Sequence, residues 1–421
     1  MIKVKNDIFS GKYDKVFSVL YTDVEAARAR FAAAVDSFIG LYGEREIFLF
    51  SAPGRTEVGG NHTDHQHGCV LAGSVDLDVI AVVAPTSDGI IKVKSEGYDE
   101  DVLSISELEP NTAEYGKAVS LIRGMCGEFK KDGYNIGGFV AYTTSNVLKG
   151  SGLSSSAAFE VLIGNILSGL YNDGKVDPVE IAKIAQRAEN IYFGKPCGLM
   201  DQMASSVGGF VGIDFNNPAK PIIDKVVFDL ASHKHKLVIV NTGGNHADLT
   251  NDYADITVEM RKVAEFFSKT HLRDIDEAEF YEKIAEVRKV AGDRAVLRAI
   301  HFINDNRRAV LEKEALMENR FDDFLKISNE SGESSFQFLQ NVYSNSNVHE
   351  QGLSLALAIA KRVLGDKGAV RVHGGGFAGT TQSFVPDELL DDYIAALSAV
   401  FGNDSCYVLN IRPVGGTMIK A

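Results

Sequence analysis

The spacing of apolar positions changes several times along the chain, and each change predicts an element. Residues 24–38 place Ala, Val and Phe at helical spacing around Glu25, Arg28 and Arg30, so 1–45 is predicted helical. The run Ile47, Phe48, Leu49, Phe50 predicts a strand that stops at Ala52-Pro53-Gly54. Residues 70–84 and 90–94 predict two more strands, joined by a turn at Ser87-Asp88-Gly89. A helix over 114–131 and a strand over 139–143 come next, then a Gly/Ser-rich stretch at 150–158 that opens an apolar helix to Tyr171. Asp177 and Pro178 have the residue types of a helix cap and first helical position, and that helix runs towards Phe193. The segment 216–221, Asn-Asn-Pro-Ala-Lys-Pro, reads as a linker. Beyond it lie a strand at 236–241, helices from 251 to 330, a strand at 369–373 and a Gly-rich turn at 374–379. The pattern predicts an α+β fold of two domains, 1–217 and 218–421.

Composition narrows the partners. The 421 residues carry 43 Lys+Arg against 57 Asp+Glu, a formal charge of −14. That sign disfavours nucleic acid and anionic membrane as partners, yet leaves room for an anionic small molecule in a locally positive site. Cys69, Cys126, Cys197 and Cys406 form no CxxC pair and read as free thiols of a reducing compartment. The start of the chain has no apolar signal-type core, and the run at 69–85 is broken by Asp76 and Asp78. A cytoplasmic protein, monomeric or weakly self-associating, is expected.

Four segments carry candidate chemistry. Gly150-Ser151-Gly152-Leu153-Ser154-Ser155-Ser156 sits between a strand and a helix. Small residues there allow close backbone approach, and the helix N-terminus favours phosphate; a plain Gly/Ser turn is the bland alternative. The stretch lacks the Gly-Lys-Ser/Thr ending of a Walker A loop and is no Gly-x-Ser-x-Gly nucleophile elbow. Gly54-Arg55 precedes Asn61-His62-Thr63-Asp64-His65-Gln66-His67, which suits a sugar-binding loop, a metallohydrolase-type metal site or a polar surface loop. Glu189-Asn190 precedes Asp201-Gln202, two acids able to serve as metal ligand and catalytic carboxylate, or simply as solvated helix residues. His373-Gly374-Gly375-Gly376-Phe377-Ala378-Gly379 allows close backbone packing on the first Gly loop or on a ligand.

In this order, APGR…HTDH, GSGLSSSAA, AEN…CGLMDQ and GGGFAG resemble the motifs of the GHMP kinases, and within them the galactokinases, over about Ser51 to Val414. The resemblance implies a ribosomal-S5-like N-terminal domain and an α+β C-terminal domain, with a strand near 407–411 packing back on the first. It implies ATP and Mg²⁺, with Gly150 to Ser156 around the phosphates and Ser155 and Glu189 holding the metal. Asp201 is implied as the catalytic carboxylate and Arg55 as its partner, while Asn61, His62, Asp64 and Tyr253 are implied sugar ligands. Phosphorylation of the anomeric hydroxyl of galactose is the expected reaction. A kinase for a related hexose or N-acetylhexosamine, and a catalytically silent sugar and ATP sensor, are the alternatives. Against the family pattern GR-x-N-x-x-GEH-x-DY, this chain has Glu57 for the Asn, Asn61 for the Glu and His65 for the Tyr.

Overall fold

The computed structural model describes residues 2–147, 152–244 and 249–421. Twelve strands form two sheets among them: β1 Phe48–Gly59, β2 Cys69–Thr86, β3 Ile90–Ser95, β4 Glu100–Ser104, β5 Gly138–Ser145, β6 Phe210–Asp214, β7 Ile222–Val226, β8 His235–Asn241, β9 Ala369–Val372, β10 Thr380–Pro386, β11 Cys406–Leu409 and β12 Thr417–Ile419. The larger sheet runs β12-β1-β2-β5-β3-β4, with the β6–β7 hairpin added to the far end of β2. The smaller runs β11-β8-β10-β9. This is the α+β class read from the sequence.

Three helices precede β1. The longest, Val24–Tyr42, starts where the Asp23 carboxylate accepts from the Ala26 N–H at 2.9 Å. Phe17, Phe31 and Phe38 bury against Leu49, Ile80, Val82 and Tyr142 of the large sheet. On the other face the helix Ser155–Tyr171 turns Val161, Leu162, Ile163, Ile166 and Leu167 into the main core. That core continues without a break into Leu237, Ile239 and Phe384 of the small sheet and Phe321 and Phe324 of an adjoining helix. The apolar contact makes the junction between the sheets a fixed platform for polar groups at its edge.

Three expectations change. β1 does not stop at Ala52-Pro53-Gly54: its register on β2 jumps between Pro53 and Arg55, a bulge that absorbs the proline and re-aims the next side chains. The proposed linker 216–221 is the turn of the β6–β7 hairpin, so β7, beyond the expected boundary at 217/218, still belongs to the large sheet. Hairpin turns and linkers share Asn and Pro, which is why composition misled. The segment at 407–411 packs back on the large sheet only at its end, where the Asp76 N–H donates to the Asn410 carbonyl at 3.1 Å. β11 pairs with β8, Ile411 makes one bridge to Val75, and it is Thr417–Ile419 that joins β1.

Candidate active site

The bulge in β1 delivers Arg55 to the start of the 155–171 helix. Gly54 is needed at that crossing, since a Cβ there would stand 2.9 Å from the Leu153 carbonyl oxygen. The Arg55 N–H donates to the same carbonyl at 3.0 Å. Gly152 (φ +73°) and Ser154 (φ +53°) take left-handed backbone, and the Leu153 side chain is plugged into the core. Ser155 and Ser156 then open the helix, where backbone N–H groups lack intrahelical acceptors. Gly150 and Ser151 lie outside the described residues.

Arg55 grips Asp201 with two hydrogen bonds, Nε to Oδ1 and Nη2 to Oδ2, each 2.8 Å. It also donates to the Gly152 carbonyl, and Ser154 Oγ donates to Asp201 Oδ2. Burial pushes the Asp201 carboxyl up, but the Arg55 charge and hydrogen bonds outweigh it and hold it below the usual carboxylate range. The Asp201 side chain keeps 32% of its surface exposed, so this charged pair faces an accessible space.

Asp201 is in the first turn of the helix Met200–Val207, and the loop before it is held by the AEN segment. Asn190 Oδ1 accepts from the Cys197 N–H at 2.6 Å. Glu189 lies not on a regular helix but in the π-turn Ala188–Phe193 that ends the helix Pro178–Arg187. It is buried, with Lys195 Nζ at 3.3 Å from Oε1 and Gln202 Nε2 donating to Oε2 at 2.8 Å. Gln202 also donates to Glu160 at 3.1 Å, and burial followed by the Glu189 charge pushes the Glu160 carboxyl well up. No three His, Cys, Asp or Glu side chains converge as a ready-made metal cage among the described residues. The donor chemistry nevertheless fits Mg²⁺, which uses one or two carboxylates and completes its shell with water and phosphate. The cation now at Glu189 is the ammonium of Lys195, whose side chain is 63% exposed.

The sugar-side candidates are arranged differently. Asn61 is fully buried, and its Nδ2 donates to Glu57 Oε1 at 2.8 Å and to the Gly374 carbonyl at 2.7 Å. His62 Nε2 donates to the Gly375 carbonyl at 3.0 Å, and the Tyr253 hydroxyl to that of Gly376 at 2.8 Å. Three consecutive carbonyls of the Gly-rich turn are thus held by three residues expected to bind sugar. Both polar atoms of the Asn61 side chain are thus engaged within the protein, Oδ1 by Asn341 and Ser335. His62 donates through Nε2, and burial, with His65 beside it, pushes its pKa down to about 3, so the ring is neutral and Nδ1 is an acceptor. Gly375 must be glycine here, because a Cβ would meet the Tyr253 ring at 2.6 Å. The expected close packing on the first Gly loop is also present: a Cβ at Gly152 would stand 3.3 Å from the His373 ring.

Asp64 alone of the four candidates has a carboxylate with no hydrogen-bond partner among the described residues. It sits in the short turn Asp64–Gln66, and a Cβ at Gly198 would stand 3.0 Å from its Oδ2. A cavity of about 490 Å³ opens there, lined by Asp64, His65, Cys197, Gly198, Leu199 and Thr257 among others. A second cavity, of about 420 Å³, adjoins Ser155 between Glu96, Tyr98, Thr144, Asn146 and Phe159. Sequence reading missed it, because these residues follow no motif and come together only through the pairing of β3 with β5.

Residues 118–209 match the GHMP kinases N terminal domain, and residues 36–85 match the galactokinase galactose-binding signature. In these two segments the chain is similar to the GHMP kinases. Among those kinases it is similar to a galactokinase of Actinobacillus pleuropneumoniae, 29% identical over 367 residues that cover 85% of this chain and 90% of that one. The fold matches Lactococcus lactis galactokinase complexed with galactose at a TM-score of 0.76 and 24% identity, covering 92% of this chain and 99% of that one. It also matches Methanococcus jannaschii mevalonate kinase at 0.61 and 17%, over 88% of this chain and 99% of that one.

Proposed function

We propose that the protein is an ATP-dependent kinase that phosphorylates the anomeric hydroxyl of galactose. One observation carries the reading: the segment that matches the galactose-binding signature is the same one that brings Arg55 into double contact with Asp201 beside the 155–171 helix start. The sugar oxygen bonds to the γ-phosphorus, the bond from that phosphorus to the β,γ-bridging oxygen breaks, ADP leaves, and the hydroxyl proton passes by way of Asp201 to solvent water. Such a transfer needs positioning and charge neutralisation more than covalent help.

Gly152 to Ser156 present backbone N–H groups to the phosphates; Gly150 and Ser151, implied by the same motif, lie outside the described residues. The cavity by Tyr98 and Phe159 takes the adenosine, next to Ser155. Arg55 offsets charge on the transferred group. Asp201 accepts a hydrogen bond from the reacting hydroxyl and orients it; held at low pKa by Arg55, it is a weak proton sink, so orientation is its larger contribution. Glu189 and Ser155 hold Mg²⁺, which when bound supplies positive charge to the nucleotide phosphates. Asp64 reads sugar hydroxyls, while Asn61, His62 and Tyr253 fix the loop behind it. Retention of Arg55, Glu189 and Asp201 in one place speaks against a silent sensor.

The test is ADP release with ATP, Mg²⁺ and a panel of galactose, other hexoses and N-acetylhexosamines. Galactose should give the highest kcat/KM, with galactose 1-phosphate as product. A higher value for an N-acetylhexosamine, or no turnover with any sugar, would reject the assignment.

A further inference from the structure

One buried side chain stitches the sugar loop to both halves of the molecule. Besides donating to Glu57 and Gly374, Asn61 accepts through Oδ1 from Asn341 at 2.8 Å and Ser335 at 3.3 Å. Its N–H donates to Asp305 at 2.9 Å, and its carbonyl accepts from His301 Nε2 at 2.9 Å. A side-chain amide fits this set because it has two N–H donors and an oxygen with two acceptor sites. A carboxylate at 61 has no donor for the Gly374 carbonyl and sets a second negative charge against Glu57.

Glu57 is the other half. It is buried, hydrogen-bonded to Asn61, and 3.4 Å from Arg371 Nη2, while Arg371 also donates to the Val58 carbonyl. Burial pushes its carboxyl up to about 7 against the pull of Arg371 and the Asn61 bond. The other charged groups around it are Arg55 on its own strand and Asp64 in the sugar loop. Glu312 on the helix Asp293–Met317 lies further off; its carboxyl oxygens have no partner among the described residues, and burial pushes it well up.

We infer that Glu57 and Asn61 form a coupled acid–amide pair that positions Asp64, three residues further on, and so sets sugar affinity without touching the sugar. Both are positioning residues, and the pair holds one carboxylate, at either end, but not two. The inference rests on Asp64 as the sugar-reading group of the proposed kinase.

The experiment compares wild type, Asn61→Asp, Glu57→Gln and the double variant, measuring KM for galactose and for ATP and the thermal midpoint from about pH 6 to about pH 9. Asn61→Asp should raise the galactose KM about tenfold on the alkaline side, the effect of one buried polar group left unpaired, with ATP KM changed by less than about twofold. On the acid side a proton shared by the two carboxyls restores the bond and most of the affinity. The double variant has one carboxylate again and should recover the part of the affinity that the second charge removed, with no such pH dependence, while the Gly374 carbonyl stays without its donor. A double variant as impaired as Asn61→Asp, or an Asn61→Asp defect that ignores pH, overturns the pair. If Asn61→Asp does not fold, a folded double variant supports the pair and an unfolded one overturns it. If wild type leaves galactose untouched, the kinase assignment fails separately. The pair is then judged on midpoints alone: Asn61→Asp should lose stability as pH rises and the double variant recover it, and absence of that recovery overturns the inference.

Discussion

The two sides of the candidate site present their polar groups in opposite ways. On the phosphate side Arg55, Asp201 and Ser154 bond to one another across an accessible space, and helix N–H groups at Ser155 and Ser156 lack intrahelical acceptors. On the sugar side Asn61, His62 and Tyr253 are turned inward onto the carbonyls of Gly374, Gly375 and Gly376, and Asp64 alone stands clear. In the proposed reading, phosphate, the same in every kinase, is met by helix N–H groups and Arg55. In the same reading a sugar is recognised by a placed acceptor, Asp64, and the buried groups behind it do the placing.

The contrast breaks most sharply at Asp201. Asp201→Asn should lower kcat by about 10²-fold or more, the scale of a positioned acid–base group, with ATP binding nearly unchanged. Steady-state kinetics and nucleotide titration check it, and near-normal turnover would remove Asp201 from the reaction. Next in size, Asp64→Ala should raise the galactose KM by about 10- to 100-fold, the effect of a lost charge-assisted hydrogen bond. Tyr253→Phe, which loses the bond to the Gly376 carbonyl, should change it by about fivefold at most. Equal losses in the two variants would erase the distinction drawn between a sugar-reading group and a loop-holding one. Glu189→Gln removes an anionic oxygen suited to Mg²⁺ and should raise the metal concentration at half-maximal rate about tenfold; an unchanged titration would leave Glu189 as a structural partner of Lys195 and Gln202.

The smallest effect concerns pH. The Glu57 carboxyl is raised in the folded protein to about 7, above its unfolded value, so the folded state holds that proton more tightly. Its contribution to stability is therefore greatest in acid and is lost as pH rises from the unfolded value through about 7. Glu57→Gln should flatten the decline of Tm between about pH 5 and about pH 8. An undiminished slope would assign the decline to other groups.

The proximity of Arg55, Ser154 and Asp201 was legible in the chain because the segments that carry them are locally patterned. GSGLSSSAA sits where a strand meets a helix, and CGLMDQ needs only the short reach back to Asn190 for its shape. The sugar side was not. Whether Asn61 meets a hydroxyl or a carbonyl is decided by Gly374, Asn341 and Ser335, some 270 to 310 positions away, and no local pattern encodes that. Pro53-Gly54 looked like a strand end because a bulge uses the same residues as a turn. Thr417–Ile419 is three residues long, too short for any period to register.

That short strand bears on how the molecule is made. β1 pairs with β2 on one edge and with residues 417–419 on the other. During synthesis, then, the second edge of β1 stays open until the ribosome has delivered the entire four-stranded sheet and the helices around it. An unpaired edge is a site for wrong partners, and closing it across more than 360 positions is slow. Arg55 lies on that same strand, so the nascent chain carries its charged centre on an unfinished sheet until nearly everything else has folded.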